Sequence, residues 1–134
     1  MQLDRTEYVR VDESYSILSR IVRATQVDTI VHTFLVVDSN QVSSRQMHET
    51  NVIGTMNLFA AASQPDSRVR NVVVKSSTLV YGSTHADPVW FSEDTPRSRP
   101  SREPVERSLE AVEGYVRDFA EDNPLVNVAL MRFS

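Results

Sequence analysis

Apolar positions along the chain follow two periods, and the change from one to the other marks out the elements. Ile17, Leu18, Ile21 and Val22 recur at the three- and four-residue spacing of a helix that continues through Ala24. Asp28-Thr-Ile-Val-His32 is instead a short β-branched run. From Ser44 to Ser63, the residues Met47, Val52, Met56, Phe59 and Ala60 form one stripe, which predicts a long second helix. Asn71-Val-Val-Val74 and Leu125-Val-Asn-Val-Ala-Leu-Met131 read as buried strands, and between them Leu109, Val112, Val116 and Phe119 set out a third amphipathic helix. Glu7-Tyr-Val-Arg-Val11 alternates as a further strand. Strands alternating with helices favour a parallel α/β sheet. Pro88, Pro96, Pro100 and Pro104 prevent one continuous helix after Gly82, so residues 82–104 are expected to form a surface loop over a cleft.

Composition narrows the class. A chain of 134 residues makes one domain with a real core, burying roughly two-thirds of the surface that its unfolded form exposes. With 40% hydrophobic and 24% charged residues, it has the balance of a soluble globular protein, and no apolar run reaches the ~20 residues of a membrane span. A net charge of −4 argues against bulk attraction to nucleic acid. The absence of cysteine excludes a disulfide framework and thiolate metal sites, and Met1-Gln-Leu-Asp-Arg-Thr6 lacks the pattern of a secretory signal, so a cytoplasmic location is expected. His32, His48 and His85 have no metal-ligand spacing and read as core or surface histidines. Tyr81 and Trp90 read as loop anchors.

Lys75-Ser-Ser-Thr-Leu-Val-Tyr-Gly82 follows a β-branched run and ends in a turn, where a parallel sheet presents reactive hydroxyls. Taken with Asp28–His32, Asn51-Val-Ile-Gly-Thr55 and Val128-Ala-Leu-Met-Arg132, in that order, it resembles the extended short-chain dehydrogenase/reductase family. The branch it resembles is that of the NAD-dependent nucleotide-sugar epimerases and dehydratases. The resemblance implies a partial Rossmann-like, doubly wound parallel sheet of about four strands with three main helices. It also implies NAD as cofactor, a nucleotide sugar as ligand, and a homodimer through the helices at 44–63 and 105–121. Ser77 takes the place of the family's catalytic hydroxyl. Ser76 beside it, Thr33 and Phe34 in the loop after the strand at 28–32, and Asn51 in the long helix fall at cofactor-binding places. Asp12 stands where an acidic residue would meet the adenine, and it is equally a good cap for the helix that follows. Phe34 and Leu35 replace small residues, which would narrow the groove.

The chain also departs from the family pattern. Gly54, Gly82 and Gly114 are its three glycines, and no two are close enough to form the glycine-rich turn that cradles a pyrophosphate. The family's Tyr-x-x-x-Lys pair, placed by Glu113, falls on Val105 and Leu109, neither of which transfers a proton. Glu106 and Arg107 beside them read as an exposed salt-bridging pair. The expectation is an internal piece of the family's domain, without the N-terminal glycine-rich unit and the C-terminal substrate half, and inactive or weakly active as this chain. An interaction or dimerisation module built on the same fold is the alternative.

Overall fold

The computed structural model describes residues 6–10, 12, 14–38 and 40–134. Helix α1 (Tyr15–Thr25) leads into β1 (Thr29–His32), then α2 (Ser44–His48), a π-helical segment (Glu49–Ile53) and α3 (Gly54–Ala62). After β2 (Asn71–Ser77) come a 3₁₀ turn (Thr78–Tyr81), α4 (Pro104–Asp122) and β3 (Asn127–Phe133). The strands pair in chain order, β1-β2-β3, all parallel, with Thr29 opposite Asn71 and Asn71 opposite Asn127. This is the parallel α/β sheet that the alternation of periods predicts.

Local chemistry sets the element ends. Helix α1 stops at Gln26, which takes a left-handed φ of 51° and donates its N–H back to the Val22 carbonyl at 3.1 Å. Ser43 caps α2, its hydroxyl accepting the Gln46 N–H at 3.2 Å. Pro104 opens α4, where its missing N–H leaves nothing unsatisfied. Gly82 has φ 117°, and a Cβ there would run into the Asp87 carboxylate, so the turn leading out of the β2 end requires glycine.

All three helical units pack on one face of the sheet. Val22, Val52, Phe59, Ala61, Ala62, Val112, Val116 and Phe119 meet Val72 and Val74 of β2, with Ile30, Val128 and Leu130 at the margin. Phe59 and Phe119 stack at 4.7 Å in its middle. The alternate positions point away from this core: Val31 is 63% exposed, and Met131 and Phe133 are both 48% exposed.

Three expectations need correction. Residues 7–10 form no strand and are exposed, and among the described residues no strand pairs with the outer edge of β1; Val11 lies outside the described residues. The sheet therefore has three strands among the described residues, not four. Strand β3 is not buried but alternates between exposed and half-buried positions, since the helices cover only one of its faces.

Candidate functional site

The C-terminal ends of β2 and β3 are joined to α4 by a buried polar network. Ser76 Oγ donates to Glu113 Oε1 at 2.7 Å, and Arg132 donates to the same carboxylate through Nε at 3.1 Å and Nη2 at 2.7 Å. Arg132 Nη1 reaches the Tyr81 hydroxyl at 2.6 Å and the Glu93 carbonyl at 3.0 Å, with the guanidinium 5.0 Å from the Tyr81 ring centre. The Glu113 hydrogen bonds and charge hold Arg132 above the ordinary arginine range, against a smaller opposing effect of burial. Tyr81 is buried and stacks on Phe91 at 4.3 Å, as expected of an anchor, whereas Trp90 is 90% exposed and anchors nothing in its loop.

A second network holds the loop after Gly82. Arg97 donates to the Val80 carbonyl at 2.8 Å and to the Glu106 carboxylate, which also accepts from Ser83 Oγ at 2.6 Å. Burial pushes the Glu106 carboxyl up, but the hydrogen bonds from Ser83 and Arg102 and the Arg97 charge outweigh it and keep it below the usual range. Glu106 is thus an ionised buried acceptor paired with Arg97, not half of an exposed pair with Arg107, which instead donates to the Arg102 carbonyl. Neither Arg97 nor Arg132 was singled out from the sequence for a role here. The inward-facing Glu113 could have signalled a cation nearby, but no spacing rule says which one.

Val105 and Leu109 pack with Met47 in a dry apolar cluster, flanked by Leu35, Val36, Val42 and Leu79. Leu109 is completely buried. The two positions expected to carry proton transfer are part of the protein's interior.

Thr33, Ser76 and Ser77 come together around a cavity of about 150 Å³, with Leu35, Val37, Lys75, Phe133 and Ser134. Ser77 Oγ accepts the Leu79 N–H at 3.3 Å, which leaves its own proton available to a ligand. The other expected site residues face elsewhere. Phe34 lies against the His32 ring at 4.0 Å and is not part of the lining; Leu35 is the bulky residue that narrows the space. Asn51 is buried and pairs with both backbone groups of Val36, donating at 2.8 Å and accepting at 2.7 Å, while also donating to Ser108 Oγ at 3.1 Å. Its role is to fix the loop that carries Thr33 and Leu35. Asp12 is exposed and accepts the Ser14 N–H at 3.0 Å at the start of α1; the hydrogen bonds from Ser14 lower its pKa. A larger depression of about 610 Å³ lies between Tyr81, Phe91, Glu93, Met131 and Arg132, but it holds none of the expected site residues.

His32 is the last residue of β1 and is buried. The Thr55 hydroxyl gives its proton to the Asn51 carbonyl at 2.5 Å, so at 2.8 Å it accepts from His32 Nε2–H. Nδ1 is left buried without a partner, and burial lowers the pKa to about 4. Among the described residues, no cluster of His, Asp or Glu could hold a metal ion, and no helix is long and apolar enough to cross a membrane.

Comparison with known proteins places this arrangement. The model of the NAD dependent epimerase/dehydratase family matches residues 4–134. An uncharacterized protein of Mycobacterium tuberculosis is 36% identical over 134 residues, covering 99% of this chain and 35% of that protein. The chain thus spans about a third of the length of the curated relatives it matches. Among solved structures, a dTDP-glucose 4,6-dehydratase (DesIV) double mutant from Streptomyces venezuelae, with NAD and DAU bound, superposes with TM-score 0.80 at 26% identity, covering 97% of this chain and 38% of that one. The UDP-Glc/GlcNAc 4-epimerase of Campylobacter jejuni gives TM-score 0.77 at 22% identity, covering 90% and 35%.

Proposed function

The chain belongs to the NAD dependent epimerase/dehydratase family, and from that premise we propose that it is a nucleotide-sugar-binding relative without the family's proton exchange, inactive or nearly so as this chain. What supports the reading is the burial of Val105 and Leu109 among apolar side chains. A positioned acid or base typically contributes ~10²- to 10⁴-fold to a rate. Neither nearby carboxylate replaces it: Glu106 is ionised and enclosed by Arg97, and Glu113 is committed to Arg132 and Ser76. Ser77 keeps a free hydroxyl proton, suited to hold a ligand hydroxyl or carbonyl in place.

The dinucleotide fits these residues poorly. Leu35 and Phe133 crowd a cavity of about 150 Å³, below the ~300–1,000 Å³ typical of sites for drug-sized ligands. The purified chain incubated with UDP-glucose and NAD⁺ should give no UDP-galactose, and titration with NAD⁺ or NADP⁺ should show no saturable micromolar binding. Epimerase or reductase turnover by the chain alone would overturn the reading.

A second reading, dimerisation, draws on the α2–α3 surface. Ile53 is 41% exposed and Met56 38%, and with Ala60 they sit at helical spacing on one outward face. Packing of this face with α4 against a second copy would make the homodimer that the resemblance implies. Sedimentation velocity across a concentration series should then show a monomer–dimer equilibrium; a monomer at every concentration removes this reading and leaves the first untouched.

A further inference from the structure

We propose that Lys75, Ser77 and Thr33 form a subsite for a single oxyanion, a carboxylate or a phosphate group, at the C-terminal ends of the strands. Lys75 is the one lysine of the sequence, is exposed, and lines the cavity of about 150 Å³ together with both hydroxyl residues. Its ammonium lies 5.7 Å from the Phe133 ring centre, and Phe133 lines the same space.

The charges nearby are unequally matched. Arg97 is consumed by Glu106 and Arg132 by Glu113, but no carboxylate among the described residues forms an ion pair with Lys75. Donors are available in the same cavity. Ser77 uses one lone pair to accept the Leu79 N–H and keeps its proton, and the Thr33 hydroxyl has no hydrogen-bond partner among the described residues. Ser76 contributes no donor, because its proton is already given to Glu113. One ammonium and two hydroxyl donors suit an oxyanion, whose charge-assisted hydrogen bonds are about twice as strong as neutral ones. A neutral sugar would make no use of the ammonium's charge. The space accommodates a carboxylate or phosphate group of a ligand, with the remainder extending out over the strand ends. The subsite requires neither turnover nor a bound dinucleotide, so it stands or falls apart from the function proposed above.

Being the only lysine, Lys75 gives one side-chain signal, apart from that of the N-terminal amine, when the protein is reductively methylated with ¹³C-formaldehyde; the methylated amine keeps its charge. Titration with inorganic phosphate and with acetate, against chloride at matched ionic strength, should shift that signal saturably. Ser77→Ala or Thr33→Val should weaken the binding about threefold or more. Lys75→Gln, followed through the Ser77 amide, should weaken it at least about tenfold. Glucuronate and glucose 1-phosphate then distinguish the source: tighter glucuronate assigns a carboxylate ligand, and tighter glucose 1-phosphate assigns a phosphate. A shift that is linear in concentration, equal to that in chloride, or unchanged in both hydroxyl variants overturns the subsite.

Discussion

His32 is held neutral by the direction of a single proton. Because the Thr55 hydroxyl points at the Asn51 carbonyl, protonating Nδ1 would place an unpaired N–H and a full charge in the core. The folded pKa of about 4 lies below the ordinary value of 6.5, so the unfolded chain binds the proton more readily between those limits. Stability contributed by this residue is fully present above pH 6.5 and is lost as pH falls toward 4, by about 3 kcal/mol. Denaturant melts across that window, with an NMR titration of the His32 ring, check the sign; a ring midpoint near 6.5 would contradict it. Leu109 makes the complementary case. Leu109→Lys should cost about 3 kcal/mol or more by urea denaturation, because the ammonium would enter a buried apolar cluster. Leu109→Met should cost less than about 1.5 kcal/mol.

At the scale of elements, the π-helical segment and the Arg97 loop show where sequence patterns stop being informative. The apolar stripe from Met47 to Ala60 predicts one helix with one buried face, but of its members only Met47, Val52 and Phe59 are buried, while Met56 and Ala60, past Glu49–Ile53, face outward. What the stripe does not encode is the extra residue in the π turn, which brings Asn51 inward against Val36; that depends on a partner loop fifteen residues away. The burial of Leu109 was legible from its place on the apolar stripe with Val112, Val116 and Phe119. The partner of Glu106 was not legible: nearness along the chain favours Arg107, whereas the fold brings Arg97 across from a proline-rich loop. The almost unbroken apolar run of β3 predicts burial, but that pattern cannot tell two covered faces from one. Removing Arg97 leaves a buried carboxylate unpaired. Arg97→Ala should therefore lose about 3 kcal/mol of stability and open residues 83–103 to limited proteolysis, while Arg107→Ala should do neither.

At the scale of the whole molecule, helices cover one side of the sheet among the described residues and Val31, Met131 and Phe133 stand exposed on the other, which gives two surfaces of opposite character. Core packing is concentrated between the helices and Val72, Val74, Val128 and Leu130, and the polar networks around Glu106 and Glu113 tie the strand ends to α4. The parallel order β1-β2-β3 has a kinetic side as well. Thr29 must find Asn71 and Asn71 must find Asn127, so neither strand pair can begin as a hairpin, and each requires closing a loop of more than about forty residues before any ladder bond repays the entropy. Refolding after dilution from denaturant should thus run in milliseconds to seconds rather than microseconds, with helical signal arriving ahead of the sheet.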